Sequence, residues 1–104
     1  MNRYTVVLTP EAEEQLAELY LYIADRASAV TALSYTEAIV DYCAKLNVFP
    51  HRGTQRDDIR PGLRITNFRK NTVIAFAVDD ALAVVTVLGI FYGGRNFAAA
   101  LRHE

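Results

Sequence analysis

A single cysteine, Cys43, excludes an intramolecular disulfide, so the fold must rest on packing alone. The two histidines, His51 and His103, stand neither at helical i, i+4 spacing nor at metal-like intervals from cysteines or carboxylates, which argues against a structural metal site. No apolar run approaches the roughly 20 residues of a membrane-spanning helix; the longest covers residues 81–92. The chain opens with no basic segment leading into an apolar run and a small-residue cleavage site, so a cytoplasmic protein with no membrane partner is expected. Net charge is also scarce: at -1, with a pI near 6.1, the molecule lacks the overall field of a strongly basic nucleic-acid-binding domain.

What is present suffices for one core. With 104 residues, 52% of them hydrophobic, the chain reads as a single domain over residues 1–104. Charge is unevenly spread along it: residues 11–45 hold seven acidic and two basic side chains, residues 46–104 five acidic and eight basic ones. Either this is ordinary surface scatter or the second half offers a face to an anionic partner.

Residues 4–8 (YTVVL) are β-branched and aromatic and read as a first strand. Thr9 can cap a following helix, Pro10 suits its first position, and Glu11, Glu13 and Glu14 complement the positive end of its dipole. Ala12, Leu16, Leu19, Tyr20 and Ile23 then recur at three and four, giving one apolar stripe that ends near Arg26. Ser28 can cap a second helix with Ala32, Tyr35, Ile39, Tyr42, Cys43 and Leu46 inward, and Pro50 stops it. So short a connection makes the pair an antiparallel hairpin. Residues 51–62 (HRGTQRDDIRPG) read as a loop, and strands over about 63–68, 72–78 and 82–91 form a meander. The fold class is therefore α+β: an N-terminal strand, an antiparallel helical hairpin, and an antiparallel β-sheet completed by a three-stranded C-terminal meander, with the C-terminal segment near the sheet's other face.

Candidate chemistry is sparse. Cys43 lies on an apolar stripe with no base beside it in sequence, which fits core packing. Asp57-Asp58 and Asp79-Asp80 could suggest a Mg²⁺ nuclease, but both pairs fall where the chain must turn, and aspartate serves turns through bonds to backbone. Arg52, Arg56, Arg60 and Arg64 would form a ridge on a helix, yet Gly53, Pro61 and Gly62 argue for a solvated loop. Leu21 and Tyr22 sit opposite the first helix's apolar stripe, among Glu14, Glu18 and Asp25, as a protein-binding patch would. After the last strand, Gly93 and Gly94 permit a sharp turn that sets out Arg95, a planar cationic fork, close to the phenol of Tyr92.

In order along the chain, T-P-x-A at residues 9–12, P-x-R-G at 50–53, G-L-R at 62–64 and I-F-Y-G-G-R-N at 90–96 resemble the RelE/ParE superfamily of bacterial type II toxins, most closely its ParE branch. The resemblance implies a toxin silenced by a cognate antitoxin, with which it would form a hetero-oligomer, and one that poisons DNA gyrase by binding and trapping its DNA-cleavage complex. No cofactor, no metal and no catalytic residue is implied. It assigns target binding to Arg64, Tyr92, Arg95 and Asn96; Leu21 and Tyr22 are expected to meet the antitoxin. The alternative, on the RelE branch, is a metal-free, ribosome-dependent mRNA endoribonuclease with Arg64, Tyr92 and Arg95 as its catalytic set. Tyr92 stands where ParE-like toxins often carry His, and Asn96 where they carry Asp. Ribosome-cutting toxins tend to be strongly basic, so the acidic balance favours gyrase. A related domain that only binds its antitoxin is the third reading.

Overall fold

The computed structural model describes residues 3–102, and His103, weighed above as a ligand, lies outside the described residues. Strand β1 (Thr5–Leu8) leads into helix α1 (Pro10–Arg26), and only Ala27 and Ser28 separate it from helix α2 (Ala29–Ala44). Both caps predicted from sequence form: Thr9 Oγ1 accepts from the Ala12 N–H at 3.1 Å and Ser28 Oγ from the Thr31 N–H at 3.0 Å. A 3-10 turn (Lys45–Asn47) closes the hairpin. Inside the expected loop a two-residue strand, β2 (Thr54–Gln55), pairs with β3 (Leu63–Phe68); β4 (Thr72–Asp79), β5 (Val84–Tyr92) and a short helix α3 (Phe97–Leu101) follow. Asp57 accepts from the Gly62 N–H and Asp79 from the Leu82 N–H, the turn bonds expected of these aspartates.

The five strands are ordered β1-β5-β4-β3-β2. The meander β3-β4-β5 and β2 are antiparallel, but β1 runs parallel to β5, Thr5 beside Val84 through Leu8 beside Val87, so the sheet is mixed rather than wholly antiparallel. At Thr9 the chain leaves the sheet, its N–H still held by the Val87 carbonyl at 3.0 Å, and turns over the sheet as α1. The hairpin packs on one face around Phe76, Ile39, Leu46, Val85 and Val87, all fully buried. Burying one such side chain stabilises the fold by about 1.5–3 kcal/mol. On the opposite face Phe97 and Leu101 of α3 close over Leu63, Ala75 and Phe91. This is the cover anticipated for the C-terminal segment.

One irregularity matters for the site. Ala75 pairs with Gly89 and Phe76 with Val87, which leaves Leu88 with no partner: β5 carries a bulge. Side chains alternate faces along a strand, and the extra residue resets the alternation. Val85 and Val87 face the helices before the bulge; after it Ile90 and Tyr92 do, while Phe91 joins the α3 side.

Candidate functional site

Past Val87 strand β5 outruns β1, and α1 lies beside its uncovered edge. Gln15 Oε1 accepts from the Ile90 N–H at 2.8 Å, supplying a partner to a backbone group that β1 does not reach. Tyr92, turned helix-ward by the bulge, is half-buried between two other rings: its centroid lies 5.9 Å from Tyr22 of α1 and 5.8 Å from Tyr35 of α2. The Tyr35 hydroxyl shares a 2.8 Å hydrogen bond with Thr72 Oγ1. The Tyr92 hydroxyl has no hydrogen-bond partner among the described residues, yet no buried side-chain polar atom there is unsatisfied, so this hydroxyl reaches solvent.

Gly93 and Gly94 then adopt φ of +72° and +78°, left-handed backbone that glycine enters without steric cost. The turn sends Arg95 into solvent beside the tyrosines. Gln15, Glu18, Leu19, Tyr22, Ile90, Tyr92, Gly93 and Arg95 line one cavity of about 150 Å³, room for a single side chain of a partner. Asn96 is committed elsewhere in part: its Oδ1 accepts from the Ala99 N–H at 3.1 Å and caps α3, leaving its amide N–H groups toward the outside. Thus Tyr92, Arg95 and Asn96 share one end of the sheet.

Arg64 does not share it. In the register Arg64 lies opposite Phe76, itself opposite Val87, whereas Tyr92 aligns with Thr72 and Phe68. Four residues of strand rise and two strand spacings put their backbones roughly 16 Å apart. The Arg64 fork instead donates to the Arg52 carbonyl at 3.1 Å and to the His51 carbonyl, tying down the loop before β2. Its neighbours in the arginine series are similarly engaged: Arg52 stacks over Tyr42 at 4.8 Å, and Arg56 pairs with Asp58 at 2.9 Å, holding that carboxyl below its usual range.

Leu21 and Tyr22 part company as well. Leu21 points straight out, 66% exposed, while Tyr22 leans toward Tyr92 with Arg26 stacked 4.4 Å over its ring. Sequence reasoning passed over a second surface. Leu8, Leu16, Tyr20 and Val40 floor a groove of about 550 Å³ across the hairpin, with Glu13 and Glu37 among its lining residues. Val40, an exposed apolar residue of α2, was its available signal. Burial pushes the Cys43 thiol up to about 11, which keeps it protonated and unreactive. Among the described residues no helix is long and apolar enough to cross a membrane, and no three His, Cys, Asp or Glu side chains converge.

The sequence model for the ParE toxin of type II toxin–antitoxin systems, parDE, matches residues 6–97. The chain belongs to the ParE toxin family. Solved structures agree in fold. A chain of the chromosomal ParDE toxin–antitoxin system from P. aeruginosa superposes with a TM-score of 0.75 at 20% identity, over 88% of this chain and 97% of that one. A chain of the RelBE2 toxin–antitoxin complex from Mycobacterium tuberculosis gives 0.65 at 22% identity, over 91% and 97%. A mutant of E. coli toxin RelE in the free state gives 0.66 at 15% identity, over 95% and 93%. No curated protein sequence matches the chain. A ParE-family toxin of RelE/ParE fold thus carries an arginine–tyrosine cluster at one sheet end and an apolar groove across its hairpin.

Proposed function

We propose that this toxin inhibits DNA gyrase by binding and trapping its DNA-cleavage complex, and that a cognate antitoxin neutralises it in the cytoplasm by forming a hetero-oligomer. The observation that carries the preference over RNA cleavage is the place of Arg64. Metal-free attack by a ribose hydroxyl needs cations and an acid–base pair around one phosphate. The Arg64 backbone is roughly 16 Å from that of Tyr92 by strand geometry and its fork is held by two loop carbonyls, which supports target binding over the catalytic set of the RelE alternative. Target contact is assigned to Tyr92 and Arg95, with the amide of Asn96 beside them. Antitoxin contact is assigned to Leu21 and the hairpin groove, where a segment disordered on its own can order as its apolar side chains are buried.

The test incubates purified toxin with gyrase, plasmid and ATP and scores linear DNA after detergent and protease, with and without antitoxin. Antitoxin-reversible linear product is expected. Arg95→Ala should reduce it about tenfold with the melting temperature unchanged, because Arg95 is exposed and makes no ion pair among the described residues. Absence of linear product from folded toxin, with cleavage of ribosome-bound mRNA instead, would reverse the assignment.

A further inference from the structure

The end of the molecule around Tyr92 has a composition that a protein-only target leaves unexplained. Three tyrosine rings follow one another there, Tyr22 to Tyr92 to Tyr35, at centroid spacings of 5.9 and 5.8 Å. Cations flank the row on each side. The Arg26 guanidinium lies 4.4 Å from the Tyr22 centroid, Arg69 lies 5.2 Å from that of Tyr35, and Arg95 lines the cavity with Tyr22 and Tyr92. Lys70 follows Arg69 in the β3–β4 turn, which the Gly93 N–H joins to the glycine turn through the Asn71 carbonyl at 2.9 Å.

The cations at this end are free of ion pairs among the described residues. Among the described residues the ion pairs are His51–Asp80 and Arg56–Asp58, neither of which involves Arg26, Arg69, Lys70 or Arg95. Glu18 on the cavity wall, Asp25 beside Arg26 in sequence and Glu14 earlier on α1 are acids of the same helix, and none comes within 4.0 Å of these cations. On a chain of net charge -1, four cations left unpaired beside a row of tyrosines form a local feature opposite in sign to the whole.

We infer that this end, Arg26, Arg69, Lys70 and Arg95 around Tyr22 and Tyr92, binds single-stranded nucleic acid directly, without a protein intermediary. Stacked arginine planes and tyrosine faces offer a sequence-tolerant platform for unpaired bases, and the cations neutralise the phosphates between them. A duplex would meet the charges but hide its bases. An acidic peptide would meet the charges and leave the rings idle. Single-stranded DNA and RNA share the chemistry that fits both features. The inference goes beyond the gyrase reading and does not depend on it.

Fluorescence anisotropy of labelled oligo-dT, oligo-U and a duplex of equal length, titrated with toxin in the absence of gyrase, tests it. Both single strands should bind with Kd between about 10⁻⁶ and 10⁻⁴ M at low salt, more tightly than the duplex, and any difference between them names the source. The slope of log K against log salt should be near -3, from about -0.7 per phosphate neutralised by four cations. Arg26→Ala with Arg69→Ala should bring that slope to about -1.4 and weaken binding at least tenfold, and Tyr22→Ala should weaken it about tenfold at an unchanged slope. Arg60→Ala with Arg102→Ala, the same loss of charge elsewhere on the chain, should leave both quantities as they are. No binding at 50 mM salt, tighter binding of the duplex, or an equal loss in the Arg60/Arg102 control would overturn the inference. The wild-type slope and duplex comparison decide it even if a variant fails to fold. Because gyrase is absent throughout, a toxin that binds oligonucleotide yet spares gyrase, or the converse, separates this inference from the proposed function.

Discussion

Arg64→Ala distinguishes an arginine that holds the fold from one that meets a target. The side chain bridges two successive carbonyls, of His51 and Arg52, and so joins the loop after α2 to strand β3. A hydrogen bond from a charged donor contributes about 1.5–3 kcal/mol when its acceptor would otherwise be left dry. Here the loop is exposed and water can replace part of what is lost, so the pair together should be worth about 1–2 kcal/mol. For a domain of this size that corresponds to a fall in melting temperature of roughly 5–15 °C. Circular-dichroism melts and urea titrations would read the loss, with growth inhibition measured at matched soluble toxin. Arg64→Lys, which keeps the charge but lacks the planar fork, should recover at most about half of it. The reasoning fails if Arg64→Ala melts within 1 °C of wild type and yet abolishes toxicity, since Arg64 would then be a target contact.

Other expectations follow from equally local geometry. A Cβ at Gly53 would sit 2.2 Å from the Ile65 carbonyl oxygen at φ +83°, whereas one at Gly62, φ +80°, meets nothing within 4 Å. Gly53→Ala should therefore cost about 2–4 kcal/mol and Gly62→Ala only about 1 kcal/mol in urea melts; equal losses would show that the contact does not matter. Leu21→Asp should weaken the antitoxin complex about tenfold by calorimetry, and an unchanged affinity would return Leu21 to ordinary surface. The Asp80 carboxyl is held below its ordinary 3.8, first by the Tyr4 hydroxyl and then by His51. A folded-state pKa depressed in this way gives stability that is present above the ordinary value and lost as pH falls through the folded one. Melting temperature should thus fall more steeply below about pH 4 in wild type than in Asp80→Asn, and parallel curves would dispose of the link.

Local chemistry was legible in the sequence because it depends on neighbours a few residues apart. Thr9, Pro10 and Ser28 place the helix starts and Asp57 and Asp79 make their turns, each through bonds within a few residues of chain, whereas the stop expected at Pro50 comes earlier, α2 ending at Ala44 and its 3-10 extension at Asn47. The apolar stripes of α1 and α2 and the three-strand meander follow from periodicity, and with them the α+β class. The glycine pair before Arg95 likewise announced a sharp turn.

What tertiary structure alone decided is which distant residues meet. β1 joins β5 in parallel, a pairing that no short-range signal specifies. A one-residue bulge at Leu88 reverses the facing of everything after it, and only that phase change brings Tyr92 beneath Tyr22 and Tyr35 instead of onto the α3 face. Strand register sends Arg64 toward one end of the sheet and Arg95 to the other, although both are arginines that follow a glycine within two residues in sequence. The residue types at the toxin's exposed end were written in the chain. Their assembly into one tyrosine row flanked by Arg26, Arg69 and Arg95 was set by pairing and packing across the whole fold, because faces and registers are properties of several strands at once.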